Sequence, residues 1–147
     1  MEIAILGLGC FWGPEIKFSK LDGVVKTEVG YCGGNSSETT YKEVCTGTTN
    51  HAEVVKLDFD PKIISYEKIL KFFFEIHDPT TLNSQGPDFG TQYRSEIFYL
   101  NEQQKQISEK VIKEENIKFS GKIVTKISLV KNYCPAEEYH QKYLEKR

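Results

Sequence analysis

Apolar positions recur along the chain in two rhythms, and their alternation lays out a sequence of strands and helices. Residues 2–7 form a nearly continuous apolar run, which predicts a central strand. Pro14, placed where a first helical turn accepts it, is followed by Ile16, Phe18 and Leu21, a short helical face that Asp22-Gly23 ends. Residues 24–31 read as a second strand and residues 32–37 as a loop, and Tyr41 to Cys45 fit one helical turn. A third strand over 52–59 stops before Pro61. Ser65 is placed to cap a helix over 66–77 whose inner face carries Ile69, Leu70, Phe73 and Ile76. Residues 78–92 are a long loop rich in Gly, Pro and Thr, a length that inside a compact domain points to function. A fourth strand follows over 95–100. Asn101 with Gln104 resembles a capping box for a helix over 102–116. The pattern closes with a fifth strand over 122–130 and, after Pro135, a last helix over 136–145.

Such alternation is compatible with a doubly wound parallel sheet, but the connections are uneven and a two-layer packing fits equally well. No G-x-G-x-x-G follows the first strand, which argues against a dinucleotide fold. We assign the α+β class: a two-layer α/β sandwich with a mixed, largely antiparallel central sheet and a ferredoxin-like core. A chain of 147 residues suits one domain, spanning 1–147. A net charge of -2 gives no general pull toward nucleic acid or an acidic membrane. No apolar run approaches the roughly 20 residues of a membrane helix. The N-terminal residues read directly as a strand without a basic leader, so a cytoplasmic protein is expected, and a monomer. The four cysteines, Cys10, Cys32, Cys45 and Cys134, form no C-x-x-C pair; reduced thiols and no metal site are expected.

The run Gly9-Cys10-Phe11-Trp12-Gly13 adds chemistry to this outline. It sets a thiol between a strand and a helix start, where backbone N–H groups and the helix dipole predict an ionised sulfur. The two aromatics predict an apolar wall for a small group such as a methyl. Cys10 paired with His51 or His140 would be the logic of a thiol hydrolase, and dispersed cysteines could belong to a zinc module. His51 is read as structural, His140 as supporting, His77 as a partner of its helix end, and Cys45 as packing.

Three further segments complete a pattern: His51-Ala52-Glu53; Gly86-Pro87-Asp88-Phe89-Gly90-Thr91-Gln92-Tyr93-Arg94-Ser95; and Ala136-Glu137-Glu138-Tyr139-His140-Gln141. Together with Gly9–Gly13 they resemble, in order and across nearly the whole chain, the A-type peptide methionine sulfoxide reductases. The resemblance implies reduction of the S epimer of methionine sulfoxide, free or in proteins, and hence repair of oxidative damage. It implies that Cys10 attacks the sulfoxide sulfur and that Glu53 is the acid serving the oxygen. Tyr41 and Tyr93 match tyrosines that hydrogen-bond near that oxygen, and Asp88 an aspartate that orders the site. Phe11 and Trp12 match the residues that receive the methyl group. The product on the enzyme is a Cys10 sulfenic acid. No cofactor is bound in such enzymes; a thiol reductant, thioredoxin or glutaredoxin with glutathione, supplies electrons.

Two departures bear on that last step. Many members carry recycling cysteines in a C-terminal tail, whereas this sequence ends at Arg147, and others have a cysteine where Gly13 stands. Cys134 and Cys32 are therefore the internal candidates for resolving the sulfenic acid, with direct reduction by an external thiol as the alternative. Asn50 replaces the glycine usual before H-A-E; if that position needs a positive φ, Asn is the next best residue.

Overall fold

A computed structural model describes residues 1–146. Its strands are β1 (Glu2–Leu8), β2 (Val24–Cys32), β3 (Ala52–Phe59), β4 (Ser84–Gln85), β5 (Asp88–Phe89), β6 (Ser95–Tyr99), β7 (Lys126–Leu129) and β8 (Cys134–Pro135). The α-helices are α1 (Trp12–Ser19), α2 (Tyr41–Cys45), α3 (Tyr66–Glu75) and α4 (Glu102–Lys118). Six strands form one sheet in the order β7-β6-β1-β3-β2-β8, in which only β6 and β7 run parallel. Its centre, β6-β1-β3-β2, is wholly antiparallel, and with α1 and α3 it forms the split β-α-β-β-α-β arrangement. The α+β, largely antiparallel assignment thus holds. No described helix is long and apolar enough to cross a membrane.

The period of two along each strand divides the core. Leu6 and Leu8 of β1, Val55 and Leu57 of β3, Val29 and Tyr31 of β2 and Ile97 of β6 face the helices, against Phe18, Ile69, Phe73 and Val111. Ile5, Cys32, Ala52, Val54 and Phe98 build a smaller cluster on the other face. Capping follows the sequence signals. The Ser65 side chain accepts the Lys68 N–H at 3.1 Å, and that of Asn101 accepts the Gln104 N–H at 2.9 Å. The Gln104 side chain reaches back one residue further than a capping box requires, to the Leu100 N–H at 2.9 Å.

Two predicted elements are different. The fifth strand is confined to Lys126–Leu129. The last helix is absent: after β8 there is one 3-10 turn, Glu138–His140, and Lys142 has φ 52°, in the left-handed region. Tertiary hydrogen bonds win over local helix here. The Gln141 side chain mimics a strand against β2, accepting the Val29 N–H and donating to the Val29 carbonyl, both at 2.9 Å. Buried Glu15 of α1 accepts the Lys142 N–H at 2.7 Å and the Thr27 hydroxyl at 2.9 Å. The C-terminal segment is thereby wrapped across β2 and α1, where it closes one side of the site below.

Candidate active site

β1 delivers the chain to the start of α1 through Gly9, whose φ of 98° is left-handed. A Cβ there would also lie 2.8 Å from Gln85 Cγ, so glycine is required both for the turn and for the approach of β4. Cys10 follows, half-buried, two residues before the start of α1 at Trp12. Burial pushes the Cys10 thiol up to about 11; the Trp12 N–H acts in the opposite direction, and the negative charges of Glu53 and Asp88 add to the rise. The expectation of an ionised sulfur is therefore corrected: one N–H and a helix end do not offset desolvation together with two carboxylates, and the resting group is a thiol.

Glu53 stands opposite Tyr31 in the β2–β3 ladder, on the helix-facing side of β3. Only 1 % of it is exposed. Its Oε1 accepts the Phe11 N–H at 3.2 Å, while its Oε2, also buried, has no partner among the described residues. Burial pushes its carboxyl up to about 8; the Phe11 N–H opposes this and the charge of Asp88 adds to it. At neutral pH Glu53 holds its proton and has a buried oxygen free to use it.

The long loop over 78–92 is folded into a miniature hairpin, with Gln85 opposite Asp88, followed by the 3-10 turn Thr91–Tyr93. The Gln85 amide ties the hairpin down by accepting the Asp78 N–H at 3.0 Å and donating to the Asp78 carbonyl. This brings Asp88 and Tyr93 to the cysteine. Burial raises the Tyr93 phenol to about 12, aided by the charges of Glu53, Cys45, Asp88 and Cys10. On the other side α2 presents Tyr41, whose phenol is likewise raised by burial and by a hydrogen bond to Cys45. Both phenols are neutral donors at physiological pH.

An aromatic wall joins these parts. Fully buried Phe11 lies 5.8 Å from Tyr31 and 5.3 Å from His140, centroid to centroid. Trp12 is half-buried, stacks on Tyr143 at 3.8 Å, and donates its indole N–H to His140 Nδ1 at 3.1 Å. His140 in turn packs against Tyr41 at 4.4 Å. Two residues that the sequence reading left without a role hold α2 in place. The Glu137 carboxylate accepts the Tyr31 hydroxyl at 2.7 Å and the Tyr41 N–H at 2.9 Å. Burial alone would raise the Glu137 pKa, but these two donors bring it below the ordinary value. Glu137 lies inside a quoted motif, so its position in the sequence was the available signal; Tyr31 had none beyond its place on an apolar strand.

The remaining candidates separate clearly. Cys32 is fully buried on the opposite face of the sheet, its thiol 3.3 Å from the Lys131 carbonyl, and is not brought to Cys10. Cys134 lies on β8, its sulfur 3.8 Å from the Thr39 carbonyl. Cys45, read as packing, is instead exposed at the end of α2. Buried His51 meets the Ser36 carbonyl through Nε2 at 2.8 Å. His77 donates from Nδ1 to the Phe73 carbonyl at 2.6 Å and accepts from the Ser95 hydroxyl at 2.8 Å, and burial lowers it to about 4. No described histidine hydrogen-bonds Cys10, so the hydrolase pairing finds no geometry. No group of three or more metal-ligating side chains occurs among the described residues. Asn50 has φ 59°, the conformation its replacement of glycine calls for.

Comparison with known proteins places the chain in a family. Residues 2–147 match the profile of the family described as peptide methionine sulfoxide reductase. The chain is 83 % identical over 147 residues to a peptide methionine sulfoxide reductase from Pelagibacter ubique, covering all of both sequences. It superposes on the reduced form of Mxr1 from Saccharomyces cerevisiae with a TM-score of 0.96 at 44 % identity, covering 99 % of this chain and 85 % of that one. It also superposes on Mxr1 in complex with Trx2 with a TM-score of 0.70 at 29 % identity, covering 97 % and 84 %. A thiol, a protonated carboxyl and two phenols, gathered at an aromatic wall, thus occur in a chain that belongs to the peptide methionine sulfoxide reductase family and is an oxidoreductase acting on methionine sulfoxide.

Proposed function

We propose that this chain, as one catalytic domain, reduces the S epimer of methionine sulfoxide to methionine, with Cys10 as nucleophile and Glu53 as acid. The observation that carries the reading is the Glu53 carboxyl, protonated at neutral pH and presenting an unpartnered buried oxygen beside the residue that follows Cys10. The sulfoxide oxygen is a poor leaving group until it receives a proton or strong hydrogen bonds. Glu53 supplies the proton from Oε2, and the Tyr41 and Tyr93 hydroxyls donate to the same oxygen. Phe11 and Trp12 form the wall for the methyl group.

The balance is simple. The Cys10 sulfur attacks the sulfoxide sulfur as the oxygen takes the Glu53 proton, the hydroxyl then passes to the Cys10 sulfur as the S–O bond of the substrate breaks, and the thiol proton goes to the Glu53 carboxylate. Thiol plus sulfoxide gives sulfenic acid plus thioether: the substrate sulfur is reduced by two electrons and the Cys10 sulfur oxidised by two. Asp88 keeps the Glu53 proton in place by charge repulsion. The sulfenic acid is returned to thiol by a dithiol such as thioredoxin, or by glutaredoxin and glutathione. The existence of an Mxr1–Trx2 complex supports the first.

The test is turnover of peptides carrying each sulfoxide epimer by the wild type, Cys10→Ser and Glu53→Gln. The expected result is S-epimer turnover by the wild type alone at neutral pH. Persisting turnover by Cys10→Ser refutes the nucleophile, and equal turnover of both epimers refutes the specificity.

A further inference from the structure

We propose that His140 is a positioning residue for this site: through an unprotonated Nδ1 it holds the Trp12 indole in the orientation that receives the methyl group of the sulfoxide. The inference rests on the reading above, which gives Trp12 its role, and adds the residue that fixes the wall.

The contact joins residues 128 positions apart: the Trp12 indole N–H donates to His140 Nδ1 at 3.1 Å. Nδ1 therefore presents a lone pair, and the one proton of the neutral ring is on Nε2. Nε2 has no partner among the described residues, so the indole alone sets the tautomer. His140 is 1 % exposed. The rings around it are those of the site: Phe11 at 5.3 Å and Tyr41 at 4.4 Å between centroids, with Tyr139 at 4.2 Å. The imidazolium would set one N–H against another and lose the bond. Burial disfavours that form and lowers the pKa of the ring, against the opposing charge of Glu137.

Two sets of contacts turn this bond into a clamp. Tyr143 covers one face of the indole, stacked at 3.8 Å with 13° between the planes. His140 takes the N–H edge. Rotation of the indole about its Cβ–Cγ bond is thereby restrained, while Trp12 as a whole stays only half-buried and keeps surface open to a ligand. His140 is in turn fixed from β2. Its N–H closes the 3-10 turn on the Glu137 carbonyl at 2.9 Å. On either side of that turn the chain is tied to Val29, by the Ala136 N–H at 2.9 Å and by both bonds of the Gln141 amide. The segment thus gives up the helix its spacing predicts and instead delivers an acceptor to the first residue of α1. Without Nδ1 the indole N–H loses its partner and the ring is free to turn to another rotamer.

The experiment compares the wild type with His140→Phe, which keeps an aromatic ring but no acceptor, and His140→Asn, whose Oδ1 takes the place of Nδ1. Trp12 is the one tryptophan of the chain, so its indole N–H is a single reporter in nitrogen-edited NMR spectra. In the wild type at neutral pH, the imidazole nitrogen spectrum is expected to show His140 protonated on Nε2 only. His140→Phe is expected to shift the indole N–H upfield and speed its exchange with solvent. It should raise KM for an S-methionine sulfoxide peptide roughly 10-fold, with kcat held within about 2-fold. His140→Asn is expected to restore the indole resonance and return KM to within about 3-fold of the wild type. A wild-type proton on Nδ1, an indole resonance unmoved in His140→Phe, a KM as high in His140→Asn as in His140→Phe, or a loss confined to kcat overturns the assignment. Should His140→Phe fail to fold, the wild-type tautomer still decides. Absence of turnover by the wild type overturns the reductase reading instead and leaves the tautomer measurement intact.

Discussion

Replacing Glu53 by Gln is expected to free the protein of a pH-dependent loss of stability while abolishing its acid chemistry. The carboxyl loses its proton near 4.5 when unfolded but at about 8 when folded. Between these values the folded state binds more protons than the unfolded one, so the free energy of unfolding falls as pH rises, by about 1.4 kcal/mol per pH unit. The loss begins near the unfolded pKa and is complete above the folded one. Glutamine has nearly the same shape and never ionises, and its amide brings two buried N–H donors where the protonated acid brings one O–H, a difference that does not vary with pH. Relative to the difference between the two proteins below pH 4.5, the variant should therefore gain roughly 3 kcal/mol at pH 7 and roughly 5 kcal/mol above pH 8. Urea unfolding from pH 4.5 to 9 at constant m-value measures this. The comparison must be a difference between proteins. His77, lowered to about 4, adds stability as pH rises from about 4 to 6.5 and masks the Glu53 slope in the wild type alone. Stability curves that run parallel in the two proteins would refute a protonated buried Glu53.

Removing the charge of Asp88 with Asp88→Asn should lower the pKa values of both Glu53 and Cys10, seen as an alkaline limb of kcat/KM that moves to lower pH. An unmoved limb would show that the hairpin does not act by charge. On the proposed mechanism Tyr41→Phe and Tyr93→Phe each remove one donor from the reacting oxygen, and each should reduce kcat by roughly 10²-fold with little change in KM. Equal losses in KM would assign them to binding. Gly9→Ala forces a side chain into φ 98° and against Gln85, and should cost roughly 2 kcal/mol or more in thermal unfolding.

Where the apolar rhythm was dense, the sequence was a sufficient guide. The runs that became β1 and β3 carry their burial in their composition, and Ser65 and Asn101 mark helix starts by a local hydrogen bond that needs nothing distant. The segment over 136–145 misled because its helical spacing is real but its polar groups find stronger partners 100 or more residues away: Gln141 at Val29, Glu137 at Tyr31, and Glu15 at Lys142. The thiol at position 10 misled for a related reason. A helix start is visible in sequence, whereas burial beneath a folded loop and the proximity of Asp88 are not.

The corrected charge state changes how the catalytic step has to begin. With Cys10 at about 11 and Glu53 at about 8, both groups keep their protons at pH 7, and the resting pair is neutral. A free thiolate would meet any oxidant that entered; a thiol reacts far more slowly, because the thiolate is the nucleophile. On the proposed mechanism the proton given by Glu53 leaves a carboxylate one residue from the nucleophile, and that carboxylate is the base that accepts the Cys10 proton. Attack is thus coupled to the arrival of a basic oxygen, the property that sets a sulfoxide apart from a thioether. A nucleophile generated by substrate, rather than held ready by the helix end, also explains why desolvation is tolerated at Cys10: it suppresses the anion in the empty site and then strengthens every hydrogen bond to the oxygen once substrate has displaced water.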